Sequence, residues 1–407
     1  MSDVMRTVAE HRRAALDLVA PVPTETVPLG DALGRVLAED ITSGTDLPRW
    51  DNSAMDGYAV RAADTTDAGN RPVLLRVVAD LPAGSAENPA VLSGTAARIM
   101  TGAPLPRGAD AIVPVEETDG GTAVVRVLRP AAAGAHIRRV GEDLRAGDPV
   151  VDAGVVLGPR QLAAIASVGR DRVLVRCRAR VAVLSTGTEL VAPGSALRQG
   201  QIPDSNSLLL ASAVRAAGGE VTSIASVGDD PAALRRLLDG LAGTVDLVVT
   251  SGGVSMGAYE VVRQVLEGRP GTAFVRVAMQ PGKPQGLGVL GGGTPILCLP
   301  GNPVSAYVSF EVFVRPVLDR LAGLDPDARP VLRATVDDSW TPPSGRAQYM
   351  PVVISGPSSD PRVRRAVPGG SGSHLVAGLA RADGLAIVPA GTPAVRAGDH
   401  IDVLRSV

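Results

Sequence analysis

Cysteine is nearly absent from this 407-residue chain, which has only Cys177 and Cys298. They lie far apart and outside any metal-ligand spacing, so neither a disulfide scaffold nor a thiolate zinc site is expected. Aromatic residues make up 2% of the chain and the formal net charge is −2. No basic patch interleaved with stacking rings exists, which argues against nucleic acid as a partner. Long apolar runs are missing too. The first twenty residues carry Glu10, His11, Arg12, Arg13 and Asp17, unlike a signal peptide, and no later run reaches membrane-spanning length. The expected setting is cytoplasmic, away from membranes. His11, His136, His374 and His400 are scattered without metal-ligand spacing. A bound metal is therefore expected to take oxygen ligands, which favours a hard cation such as magnesium.

Lysine is the rarest charged residue: Lys283, in "MQPGKPQG", is the only one in the sequence. A compact ammonium and a planar guanidinium approach an oxyanion differently, so a site that needs a point charge close to backbone resists arginine. That makes Lys283 a candidate anion ligand.

The chain is 45% hydrophobic and 20% charged, as expected for a globular protein of more than one domain. Residues 179–325 alternate short apolar runs with helical periods, the pattern of a parallel α/β sheet. "RVAVLST", "EVTSIASV", "DLVVT" and "PILCL" read as strands, with further strands near Phe274 and Leu287. "SNSLLLASAVRAAG" reads as a helix capped by Ser205 or Asn206, and "DDPAALRRLLDGL" as a helix with proline in its first turn. Another helix is expected around Tyr259 to Leu266, and a final one from Val304 to Leu321. Residues 46–140 read as a small β domain, 1–45 with 141–178 as an N-terminal helix and extended connector, and 326–407 as a β barrel.

The strands run into "STGTEL", "SVGDDP", "TSGGVSMG" and "LPGNPVSA". In an open α/β sheet, ligands bind beyond the carboxyl ends of the strands, where helix N-termini attract anions. These turns match neither a dinucleotide fingerprint nor an NTPase phosphate loop. Substrate-binding positions are expected on and around them, at Asp204, Asn206, Ser251, Gly252, Gly253, Ser255, Gln280, Pro300, Gly301, Asn302 and Ser305. Asp56, Asp143, Glu189, Asp204, Asp229, Asp230 and Glu260 add carboxylates near glycine turns. Each alone reads as a cap or a solvated side chain; together with anion-binding turns they suit a phosphorylated substrate bridged through magnesium.

Taken in order, "DNSAMDGYAV", "RIMTGAPLP", "RRVGED", "LSTGTEL", "QIPDSNS", "TSGGVSMG", "PGKPQG" and "LPGNPVSA" resemble the molybdopterin molybdenumtransferase family, the bacterial MoeA and gephyrin E-domain type. The resemblance extends to "GSGSHLVAGLARADGLAIVP" and covers nearly the whole chain. It implies a central three-layer α/β molybdopterin-binding domain with a small β domain, a connector and a C-terminal β barrel. It further implies a homodimer whose active site is shared between subunits. The implied reaction inserts molybdate into adenylylated molybdopterin with magnesium-dependent release of AMP. By the same resemblance Asp56, Thr101, Asp143, Glu189 and Lys283 are expected to be catalytic, and Asp229, Asp230 and Glu260 to serve the metal.

Three positions depart from the family pattern. Gln280 stands where many members have lysine, Glu260 where aspartate is common, and Met350 with Pro351 where an arginine often follows Arg346. Two other functions share some of these features: molybdopterin adenylylation, which uses a similar α/β domain, and a non-catalytic molybdopterin-binding scaffold.

Overall fold

The computed structural model of the chain describes residues 5–254, 260–368 and 370–406. Its first helix, α1 (Val8–Leu16), opens with a capping box. The Thr7 hydroxyl accepts from the Glu10 N–H at 3.1 Å while the Glu10 carboxylate accepts from the Thr7 N–H at 2.8 Å, so two orphan donors are satisfied together.

The chain divides into two compact units, one formed by residues 28–31 and 39–173, the other by 1–27, 32–38 and 174–407. The smaller unit is built on a five-stranded sheet of β1 (Gly57–Val60), β2 (Val73–Leu81), β3 (Thr95–Ile99), β4 (Ala111–Pro114) and β5 (Val124–Val127), in the order β4-β1-β3-β2-β5. Every residue of β1 is buried. At Gly57 a Cβ atom would lie 2.1 Å from the Val113 carbonyl oxygen, so the glycine after Asp56 is required by the approach of β4. The same unit holds residues 141–173 of the expected connector, with α2 (Pro159–Ser167) near their end, whereas residues 1–27, 32–38 and 174–178 fall in the larger unit.

The larger unit contains β6 (Arg180–Thr186), α3 (Ser205–Ala216), β7 (Glu220–Val227), α4 (Pro231–Leu241), β8 (Leu247–Ser251) and α5 (Val261–Leu266). These are followed by β9 (Ala273–Arg276), β10 (Met279–Gln280), β11 (Pro284–Val289), β12 (Pro295–Leu299), α6 (Pro303–Ser309) and α7 (Arg315–Leu321). The sheet order is β7-β6-β8-β12-β11-β9. Alternate residues of the strands feed two cores. Val181, Val183, Val249 and Leu299 pack with Leu210 and Val214 of α3 and Leu318 of α7 on one face. Ala182, Leu184, Val248 and Ile296 pack with Leu238 of α4 and Val265 of α5 on the other, completing three layers.

Three local expectations need correction. The sheet is mixed: β11 runs antiparallel to both β12 and β9, because the short Gly291–Gly293 turn between β11 and β12 cannot make the crossover that parallel strands demand. Helix α3 is capped by Asp204, whose carboxylate accepts from the Ser207 N–H, rather than by Ser205 or Asn206. The final helix is interrupted by a π-helical turn at Phe310–Val314. Pro316 has no N–H to give to the carbonyl four residues earlier, and the wider turn absorbs the missing bond.

The C-terminal region is a closed ring of five strands: β13 (Val331–Val336), β14 (Ala347–Ser355), β15 (Arg362–Arg365), β16 (Gly384–Val388) and β17 (His400–Arg405). They run β14-β15-β13-β17-β16, and β16 pairs back onto β14. Ala334, Val336, Met350, Val352, Val363, Val388 and Val403 fill the ring. Strand β10 adds to β14, with Gln280 opposite Gln348, and so ties the barrel to the loop that carries Lys283. Among the described residues no helix is long and apolar enough to cross a membrane.

Candidate functional site

A cavity of about 850 Å³ opens beyond the carboxyl ends of β6, β8 and β12 in the larger unit. Among the described residues it is lined from β6 by Thr186, Gly187 and Glu189, from β8 by Ser251 to Val254, and from β12 by Pro300 to Asn302. Asp204, Asn206, Asp229, Glu260, Gln280, Lys283 and Ser305 also face it. Most of the residues expected on the strand-end turns therefore share one space. Ser255 lies outside the described residues.

The floor is stiffened by buried polar bonds. Asn206 Nδ2 donates to Ser251 Oγ at 2.7 Å and to the Gly301 carbonyl at 2.6 Å, which ties three segments together. Its Oδ1 is buried and has no partner among the described residues. Asp204 is occupied structurally: it accepts from Ser185 Oγ and from both the N–H and the hydroxyl of Ser207. The backbone at Gly252 has a φ of +92°, and a Cβ there would meet the Thr186 carbonyl at 2.7 Å. Only glycine lets the 251–253 turn lie this close to β6, and the Gly252 N–H is spent on the Leu299 carbonyl at 3.1 Å.

Lys283 reaches the cavity from the β10–β11 turn, half-buried and without an ion pair to a described residue. The barrel contributes a second cation, Arg346, also without an ion pair to a described residue, together with Ser371, Ser373 and His374. Asn302 Nδ2 donates to Ser373 Oγ at 2.9 Å, and a relay from Trp340 Nε1 to Gln348 to Ser371 Oγ holds the neighbouring hydroxyl. Because Ser371 Oγ accepts from Gln348, its own proton is available to a ligand. These barrel residues were not placed in the site from the sequence. The segment "GSGSHL" had no chemistry-bearing spacing to mark it, and Arg346 read equally well as a strand-edge surface residue.

The carboxylates behave differently from one another. Asp229 accepts from the Thr188 hydroxyl at 2.9 Å and N–H at 3.3 Å, both through Oδ2, leaving Oδ1 without a hydrogen bond to a described residue. Asp230, expected as a metal ligand, instead accepts from the Ala232 N–H as the N-cap of α4 and does not line the cavity. Glu189 and Glu260 line the cavity, and Glu260 makes no capping bond at the start of α5. Among the described residues no group of three or more His, Cys, Asp or Glu is placed to hold a metal ion.

Asp56, Thr101 and Asp143 belong to the smaller unit. Asp56 Oδ1 accepts from the Thr101 N–H at 2.7 Å and from its hydroxyl at 2.8 Å. The backbone donor, then the hydroxyl, hold the exposed Asp56 carboxyl below its ordinary value. The turn before it is set by Ser53 Oγ, which donates to the Met55 carbonyl, while Asp51 is held by Arg139 and the Val140 N–H. Asp143 is exposed and makes no hydrogen bond to the Asp56–Thr101 pair.

Three family descriptions match the chain. Residues 6–169 match the MoeA N-terminal region (domain I and II), 182–320 a probable molybdopterin binding domain, and 333–405 the MoeA C-terminal region (domain IV). The chain is 46% identical to molybdopterin molybdenumtransferase 2 of Mycobacterium tuberculosis, over 98% of its length and 99% of the relative's. It is 39% identical to molybdopterin molybdenumtransferase 1 of the same organism, over 98% of each chain. A crystal structure of the molybdopterin biosynthesis moeA protein from Pyrococcus horikoshii superimposes with a TM-score of 0.83 at 28% identity, covering 99% of this chain and 100% of that one.

Proposed function

The chain belongs to the molybdopterin molybdenumtransferase family, and on that premise we propose that it inserts molybdate into adenylylated molybdopterin with release of AMP. Its place in molybdenum cofactor biosynthesis rests on the match of the whole chain to relatives named for that activity. The observation that carries the finer reading is the pairing, in one cavity, of two cations lacking carboxylate partners among the described residues with open carboxylates. Lys283 and Arg346 suit a tetrahedral oxyanion and the phosphate oxygens beside it.

Magnesium fits this donor set, because it commonly takes one or two protein carboxylates and completes its shell with water and substrate phosphates. Asp229, through Oδ1, and Glu260 are the residues we assign to hold it; bound there, it would offset phosphate charge. Glu189 is left to move a proton at the reacting oxygens. We further propose that the protein works in the cytoplasm as a homodimer, with Asp56 of the smaller unit completing the cavity of a second copy. The four-part division drawn from the sequence, 1–45 with 141–178, 46–140, 179–325 and 326–407, is retained as the domain proposal.

Adenylylation of molybdopterin is disfavoured as the activity because the chain matches the MoeA regions on both sides of its central domain. The test is AMP release from adenylylated molybdopterin by the purified protein with magnesium, with and without molybdate. Molybdate-dependent release is expected. Tight binding with no release under either condition would instead establish a scaffold.

A further inference from the structure

Gln285 is 1% exposed at the start of β11, just behind the turn that presents Lys283. Its Nε2 donates to the Gly282 carbonyl at 2.7 Å and to Ser309 Oγ of α6 at 2.6 Å. Both donors are used, while its Oε1 is buried without a partner among the described residues. A methionine or leucine would fill the same volume with no orphaned acceptor, so core packing alone does not account for an amide here. Gly282 has a φ of +102°, and a Cβ there would meet Ser309 Oγ at 2.9 Å and Gln285 Nε2 at 3.4 Å. The residue before Lys283 is thus seated in a pocket made by the amide and the serine. On its other side, the Lys283 carbonyl accepts from the Val277 N–H at 2.7 Å. The backbone of the single lysine is held at both ends while its ammonium faces the cavity.

We propose that Gln285, with Ser309, is a positioning residue that fixes the Lys283 turn and thereby sets the affinity of the site for its tetrahedral oxyanion. The inference rests on the reading of Lys283 as an anion ligand. A flexible four-carbon side chain gives a defined charge position only if its own backbone is fixed, and the oxyanion then meets a charge already in place.

The experiment uses the full-length protein and molybdate alone, titrated calorimetrically, beside steady-state kinetics with adenylylated molybdopterin. Gln285→Met is expected to weaken molybdate binding about tenfold, the order of one lost hydrogen bond. The KM for molybdate should rise similarly, while that for adenylylated molybdopterin stays within roughly twofold. In a Lys283→Ala background, Gln285→Met should cause no further loss, because its effect passes through the lysine. Additive losses, or an unchanged molybdate affinity in Gln285→Met, would overturn the proposal. If Gln285→Met does not fold, Ser309→Ala decides: a several-fold weaker molybdate affinity supports the inference and an unchanged one overturns it. If Lys283→Ala itself binds molybdate normally, the reading of Lys283 fails and this inference fails with it. If only the Gln285 and Ser309 variants are silent, the reading of Lys283 stands and this inference alone falls.

Discussion

Asp56 is exposed, yet its carboxyl is held below the ordinary aspartate range by two donors from one residue, first the Thr101 N–H and then its hydroxyl. The sign follows from which form the donors favour. Both bond the carboxylate, so it stays ionised as pH falls past the usual aspartate value and takes up its proton only lower. Thr101→Val removes the hydroxyl and keeps the N–H. The Asp56 titration midpoint, read by carboxyl-carbon NMR, should then move up part of the way towards the ordinary value. No upward movement would mean that the hydroxyl does not bond the carboxylate in solution. At this scale the sequence was informative for Lys283, which its rarity marked and which lines the cavity. It was uninformative for Arg346 and Ser371, whose neighbours in sequence are not their neighbours in the site.

Among the elements, α1 carries a test of how the larger unit is closed. His11 is 1% exposed and sits edge-on to Phe313 of the π-turn, with ring centroids 4.7 Å apart and its Nδ1 without a partner among the described residues. Burial, with a smaller contribution from Arg6, pushes its pKa down to about 3. The unfolded chain takes up this proton near the ordinary histidine value, about 6.5. Between those two values the unfolded state binds more protons, so stability falls as pH drops, with a slope approaching about 1.4 kcal/mol per pH unit from this group. His11→Phe should flatten the dependence of the urea midpoint on pH between about 6.5 and 4. An unchanged dependence would show that His11 is protonated in the fold. Of the elements themselves, the strands of the sheet and α4 were legible from periodicity and proline placement. The antiparallel direction of β11 and the π-turn were not, since both come from short connections and a missing donor rather than from apolar period.

The whole molecule poses the question of where Asp56 acts. The Asp56–Thr101 pair belongs to one compact unit and the Lys283 cavity to the other. In a homodimer with shared sites, Asp56→Asn and Lys283→Ala each disable both sites of their own dimers. Mixed after dissociation and reassociation, they should form heterodimers with one intact site, returning about a quarter of wild-type activity by random pairing. Sites confined to single chains would return none. The experiment thus separates sites shared between copies from sites confined to one chain, whatever the identities of the metal ligands.

The sequence by itself determined the three-layer α/β character of the centre and the family, because these depend on local periodicity and on motifs contiguous in the chain. It also marked the strand-end turns that line the cavity, since parallel strands deliver their loops to one edge. Only the tertiary structure decided which carboxylates are spent on the fold and which stay open. Asp204 and Asp230 are consumed as helix caps, whereas Asp229 keeps an oxygen free. It alone brought Arg346, Ser371 and His374 of the barrel to the cavity of the α/β domain, through the pairing of β10 with β14. The physical reason is the same in each case. A hydrogen bond or a charge placement depends on which backbone groups arrive within about 3 Å, and chain closure over tens of residues, not the neighbouring letters, sets that distance.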